Sequence, residues 1–214
     1  MSNLQKKIPF MAGVFGHLIF QIFVAYRAAE ATSNNAYMKD IARSNALLIG
    51  VIGLVILLLL TLLRLPIPVK VLLFTMLAYI AGMTLHNVPN LQEALLETVG
   101  IFIAMLVAGI FTVKMGYRLD LLGQILFFSL LTILIARVIN TYVRRRSETL
   151  VPSKIISILF ALFVVYDTNK ILQRNYGGNF VNASLDYFLD IINLIPSVGN
   201  EQTDLPGIEP GMLD

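Results

Sequence analysis

Three aspartates sit inside strongly apolar runs in the last quarter of the chain: Asp167 in LFVVYD, then Asp186 and Asp190 in SLDYFLDIINL. A carboxylate at bilayer depth is costly, so such residues usually face a protein interior or a watery cavity and serve function. The segment between the runs, Asn175 to Val181, contains Gly177-Gly178, which allows a tight reversal. A first helix ending near Arg174 places Asp167 about 10 Å from that end, and a second starting near Asn182, its N-cap, places Asp190 about 12 Å in. The spacing therefore predicts two carboxylates at nearly the same depth on adjacent antiparallel helices. Asp186, four residues before Asp190, shares that face one turn nearer the loop. A first-turn acid favoured by the helix dipole is the competing account of Asp186.

Two carboxylates in one low-dielectric site cannot both ionise cheaply, so Asp167 and Asp190 are expected to share a proton. Such a pair suits a proton-sensitive gate, a hard-cation site or aspartyl-protease chemistry. The plainer alternative is a buried carboxylate that only hydrogen-bonds helices together. Among hard cations, Ca²⁺ prefers roughly 6–8 oxygens at about 2.3–2.6 Å. Asp167 and Asp190, with Asp186 and Asn193 as accessories, cannot complete that shell without water. Incomplete coordination means weak binding, which conduction requires. Calcium is thus expected as a permeant ion, and no tightly bound cofactor is expected.

The elements that must position these residues follow from composition. The 214 residues are 57% hydrophobic and 14% charged, with a mean hydropathy of +0.78. An average soluble domain carries about 25% charged residues, so the composition is that of an integral membrane protein in a lipid bilayer. The absence of cysteine excludes disulfides, thiolate metal sites and cysteine nucleophiles. The net charge is only +3, and the basic residues flank apolar runs instead of forming a stripe, which sets nucleic-acid binding aside. Seven spans are expected, at about 8–28, 45–63, 69–85, 94–113, 121–139, 155–172 and 183–198, in one polytopic all-α bundle. The first is too long for the apolar part of a signal peptide and is read as retained. The last is short and polar, expected to be central or re-entrant. Residues 30–43 read as a polar loop, and 199–214 as an acidic, disordered tail. His17 and Gln21 share a helix face and are expected to bond neighbouring helices, and Gly82 to permit close helix approach.

Arg64 lies in the loop between spans two and three, on the side of the hairpin loop at Asn175. A guanidinium reaching inward to Asp167 would latch helix two to helix six; snorkelling at a helix end is the alternative. Lys and Arg counted on alternate sides come to eight against eight, so the positive-inside rule leaves orientation open.

The hairpin resembles the signature of the transmembrane Bax inhibitor motif family. The resemblance rests on Tyr166-Asp167 with the basic Lys170 and Arg174, then Ala183-Ser184-Leu185 and Tyr187-Phe188-Leu189-Asp190-Ile191-Ile192-Asn193-Leu194. Length and helix count fit as well. The resemblance implies a pH-sensitive calcium-permeable leak channel, an arginine at the position of Arg64 that engages the acidic pair, and a cytoplasmic N-terminus. It further implies suppression of cell death, with cell-death regulatory proteins as partners. The membrane would be an endomembrane, endoplasmic reticulum or Golgi, in a eukaryotic or viral setting, and the plasma membrane in a bacterial one.

Two other functions fit some of the residues. Intramembrane aspartyl proteases also place YD on one helix and Asp on the next, and Tyr166-Asp167 matches that half. Their second motif is GxGD, whereas Asp190 follows Tyr187-Phe188-Leu189, and their PAL motif is missing. Bulky FLD leaves little room for a substrate backbone, which glycines normally permit, so no enzyme is expected. The third reading is a non-conducting regulator that acts through partner proteins.

Overall fold

Each apolar run becomes a helix whose ends are set by prolines, glycines and asparagines. The computed structural model describes residues 7–142 and 151–201. Lys6, the arginines at 144–146 and the tail from 202 onward lie outside the described residues. Helix α1 (Ile8–Asn34) opens with a proline in its first turn and ends where Asn35 turns extended. The Asn35 side chain accepts hydrogen bonds from the backbone N–H groups of Tyr37 and Met38, starting the short α2 (Ala36–Ser44). The stretch expected as a polar loop is therefore helical. α2 meets α3 (Ala46–Leu62) at 77°.

Pro66 separates α3 from α4 (Ile67–Thr84), which admits Pro68 in its first turn, where the missing N–H costs nothing. A 3₁₀ turn at Leu85–Asn87 follows. Asn90 then adopts a left-handed conformation (φ 44°), tolerable for this residue type, and opens α5 (Leu91–Lys114). Helices α6 (Asp120–Tyr142), α7 (Ser153–Gln173) and α8 (Phe180–Glu201) complete the chain.

The protein is all-helical, and the seven apolar segments read from sequence correspond to α1 and α3–α8. By length and composition α1, α4, α5 and α7 can each cross a membrane, and α2 with α3 forms a fifth, bent candidate. The last helix is longer than the 183–198 expected of it: α8 has 22 residues, about 33 Å at 1.5 Å per residue, but it is not among the helices apolar enough to count as candidate spans. Its acidic and amide residues interrupt the hydropathy signal; Asp190 is buried, whereas Asn193 is exposed.

The other half of that expectation, a central position, holds. α8 packs against α1, α4, α5 and α7, and Tyr187, Phe188, Ile191, Leu194 and Ile195 are buried around its circumference. Small residues bring the surrounding helices close. A Cβ on Gly82 of α4 would stand 2.1 Å from the carbonyl oxygen of Ala25 in α1, and one on Gly109 of α5 would stand 2.5 Å from Cβ of Thr168 in α7. Such contacts supply the dispersion energy that joins helices where lipid is as apolar as the side chains.

Candidate functional site

The site begins with the turn between α7 and α8. Gly177 (φ 58°) and Gly178 (φ 79°) take left-handed conformations that make the reversal possible. The cap of α8 is Asn179, whose side chain accepts from the backbone N–H of Asn182 at 3.3 Å. The helix thus starts three residues earlier than Asn182, the expected cap. Asn182 instead accepts a hydrogen bond from the buried Lys70 of α4 at 2.8 Å. Lys7 donates to the carbonyls of Ile171 and Arg174, placing a positive charge at the C-terminal end of α7, where the helix dipole favours it.

Asp167 and Asp190 are 6% and 4% exposed, and their carboxyl groups lie within hydrogen-bonding reach of each other. Two carboxyl groups can bond only while one carries a proton. The Oδ2 atom of Asp190 has no other donor among the described residues. The remaining partner of Asp167 is Lys170, one turn on along α7, whose ammonium donates to Asp167 at 3.0 Å and to Asp186 of α8 at 2.8 Å. Asp186 also accepts from the Tyr176 hydroxyl at 3.0 Å. It stands in the second turn of α8, so a first-turn dipole role is not what holds it. Lys170 therefore bridges Asp167 and Asp186, and Asp190 lies beside them in one cluster. Tyr187, fully buried beside them, donates to Thr168 at 3.0 Å and ties α8 to α7 below the carboxylates.

The cluster forms one end of a cleft of about 970 Å³ between α6, α7 and α8, with Leu57 of α3 at its edge. Its other walls are largely aromatic, with Phe127 and Phe128 from α6 and Phe160 and Phe163 from α7. Asn193 lines the cleft one turn beyond Asp190, although its amide donates to its own helix at the Leu189 carbonyl. The first turn of α6 is pinned beside the cluster. Arg174 donates to Asp120 at 2.9 Å, and Asn169 and Gln173 both donate to the carbonyl of Tyr117. A Cβ on Gly123 would run into the ring of Tyr166 at 2.2 Å, so only glycine lets α6 approach α7 there.

Arg64 does not join this cluster. It is exposed in the link between α3 and α4, and its side chain has no hydrogen bond or ion pair among the described residues. The cation that meets Asp167 is Lys170, which sequence reasoning had placed only in the basic tail of the motif. The signal was present in the (i, i+3) spacing of Asp167 and Lys170, which puts both on one helix face. Among the described residues no group of three or more acidic or histidine side chains is arranged to hold a metal ion.

A second polar network joins α1, α4 and α8 away from the cleft. His17 bonds Ser184 at 2.8 Å, and Gln21 bonds His17 and Thr75, each at 3.1 Å. Both residues serve the helix–helix bonding expected of them.

Comparison with known proteins adds a family and several relatives. A family profile described as "Inhibitor of apoptosis-promoting Bax1" matches residues 8–199. The Golgi anti-apoptotic protein of Vaccinia virus (strain Lister) is 25% identical over 202 residues, covering 90% of this chain and 84% of that protein. Protein LIFEGUARD 3 of Arabidopsis thaliana is 28% identical over 134 residues, 59% of this chain and 54% of its own. Protein LIFEGUARD 4 of the same plant is 29% identical over 105 residues, 49% of this chain and 42% of its own. The chain thus spans about half the length of these plant relatives and most of the viral one.

Proposed function

The chain belongs to the family of inhibitors of apoptosis-promoting Bax1, and we propose that it is a multi-pass membrane protein that suppresses cell death as a proton-gated calcium leak. The name of the viral relative supports both the cell-death role and an endomembrane location such as the Golgi. The observation that carries the gating is the contact between Asp167 and Asp190 at the buried end of a cleft. The Asp167–Lys170 pair lies within α7, and what joins α7 to α8 at the cluster is the proton shared by Asp167 and Asp190 together with the bridge from Lys170 to Asp186. Protonating the carboxylates that Lys170 bridges dissolves that bridge, so opening is favoured as pH falls. Protonating every carboxyl of the cluster also removes the negative charge that draws cations in, so conduction declines in strong acid.

The test is Ca²⁺ flux into proteoliposomes of the purified chain, measured against pH. Flux is expected to be small at alkaline pH, to rise below neutrality, and to fall again in stronger acid. Asp167→Asn and Asp190→Asn should each flatten the profile, and the double variant should be far from additive because the two act through one proton. A flat wild-type profile between about pH 5 and 8 would overturn the gating.

A further inference from the structure

The cleft beside the aspartates has two ends of opposite character. Away from the carboxylates its walls are rings: Phe127 and Phe128 of α6 lie 5.7 Å apart between centres, and Phe160 and Phe163 of α7 lie 5.9 Å apart. Leu57 and Leu130 add aliphatic surface. None of these side chains offers a hydrogen bond, so water there lacks the two to four polar partners that would hold it. The space is large, about 970 Å³ for the whole cleft, and leaving it empty forfeits dispersion contacts along every wall. It opens past Phe127 and Phe128, 57% and 64% exposed, to the outside of the bundle, where a membrane protein meets lipid.

Length and charge identify the occupant. Along α6 the lining runs from Asp120 to Leu130, about 15 Å. That is half the roughly 30 Å hydrocarbon thickness, the reach of a chain from one leaflet. At the mouth Asp120 is clamped by two guanidinium groups, Arg174 at 2.9 Å and Arg118 at 3.1 Å. Two cations on one carboxylate leave one positive charge in excess, and both arginine side chains are more than half exposed. Each guanidinium carries five N–H groups in a planar fork, so donors remain for the oxygens of a phosphate. The carboxylates around Lys170 lie one turn below Arg174, so an anionic head is held at the mouth and only an uncharged chain passes further. We infer that the cleft is a phospholipid site: one acyl chain of a glycerophospholipid lies between the phenylalanine walls, and its phosphate sits at Arg118 and Arg174. This goes beyond the leak reading and does not depend on it.

The chain contains no tryptophan, so a single introduced one reports its own surroundings. Phe163→Trp and Leu189→Trp place the reporter on two walls of the cleft, and Leu54→Trp places it on the exposed face of α3. The purified full chain in detergent is titrated with phosphatidylcholine brominated along its acyl chains, which quenches tryptophan on contact. Both cleft reporters should be quenched saturably, whereas Leu54→Trp should follow only the lipid content of the micelle. A diacylglycerol with the same brominated chains lacks the phosphate and should bind about tenfold more weakly, the size of a lost charge-assisted hydrogen bond. Arg174→Gln in either cleft reporter should weaken phosphatidylcholine by a similar factor. Arg118→Gln, which leaves the clamp between α6 and α7 in place, should weaken it by about threefold. Thermal unfolding identifies the variants that fold, and either cleft reporter suffices. Cleft quenching that tracks Leu54→Trp at every lipid content overturns the site, because ordinary boundary lipid explains it. Equal affinity for diacylglycerol, or unchanged affinity in both arginine variants, overturns the proposal as well. No arm of the experiment measures calcium, so its failure leaves the leak untouched.

Discussion

Helices α8 and α6 line the same cleft and could hardly be held more differently. α8 is enclosed by four neighbours, and its aromatic residues interlock with theirs: Phe188 meets Phe74 edge-on at 5.0 Å, and Tyr187 meets Phe102 edge-on at 5.2 Å. α6 packs mainly on α7, and Leu121, Ile125 and Leu134 are exposed, as are the cleft-lining Phe127 and Phe128. Neither helix is among the four long and apolar enough by themselves to cross a membrane. What separates them is whether a side chain faces protein or lipid. The buried Asp167 and Asp190 are on the enclosed helices, while the opposite wall of the cleft is built from a helix held chiefly at its first turn.

The comparison can be broken first at aromatic residues. Phe188→Ala should destabilise the protein by about 4 kcal/mol, because a fully buried ring leaves a cavity. Phe128→Ala, at a residue 64% exposed, should fall within about 0.5 kcal/mol of wild type. Thermal unfolding in detergent measures both, and equal losses would end the distinction. Glycines give the next largest effect. Gly82→Ala drives a methyl into the Ala25 carbonyl and should cost about 3 kcal/mol, since backbone must move. Gly50→Ala on α3 meets nothing within 4 Å and should be neutral or stabilising by up to about 1 kcal/mol. Hydroxyls sharpen the contrast on a smaller scale. Tyr187→Phe removes an interhelical bond to Thr168 and should cost about 1 kcal/mol. Ser129→Ala removes only a bond to its own helix at Ile125, and its unfolding temperature should not change measurably.

The smallest effect concerns pH. Burial, and then the negative charge of Asp186, push the Tyr176 hydroxyl above its usual range. The stability this adds is fully present below the ordinary tyrosine value of about 10 and is lost as pH rises beyond it. The unfolding temperature of wild type should therefore fall more steeply between about pH 9 and 11 than that of Tyr176→Phe. Parallel slopes would show that the Tyr176–Asp186 bond adds nothing.

Much of this arrangement was legible in the residues, for reasons that also explain what was not. Seven apolar runs and the punctuation by Pro66, Pro152 and Gly177-Gly178 place the helices, because hydropathy and backbone restriction act locally. The pairing of Asp167 with Asp190 followed from counting residues to a tight turn, which needs no tertiary information. The extent of α8 did not follow, since Asp186, Asp190 and Asn193 lower local hydropathy along a helix of 22 residues. α2 was hidden because its nine residues, AYMKDIARS, are short and mixed and form no apolar run; the cap at Asn35 was its only local signal. Arg64 was judged by depth along the axis. Depth says nothing of azimuth, and α3, packed on α4, leaves its end at the periphery. Lys170 was within reach, being one turn from Asp167, but its second partner on α8 comes from folding.

The pinned start of α6 makes that helix a lever. Its fulcrum is the stretch from Tyr117 to Gly123, clamped to α7 by Asn169, Gln173, Arg174 and Tyr166. A tilt of about 10° there carries Leu130, the last α6 residue lining the cleft and about 10 Å further along the axis, sideways by about 2 Å, while residues beside the aspartates hardly shift. That wall of the cleft can thus shift while the distances among Asp167, Asp186 and Lys170 stay fixed. Width and chemistry are set at opposite ends of one rod.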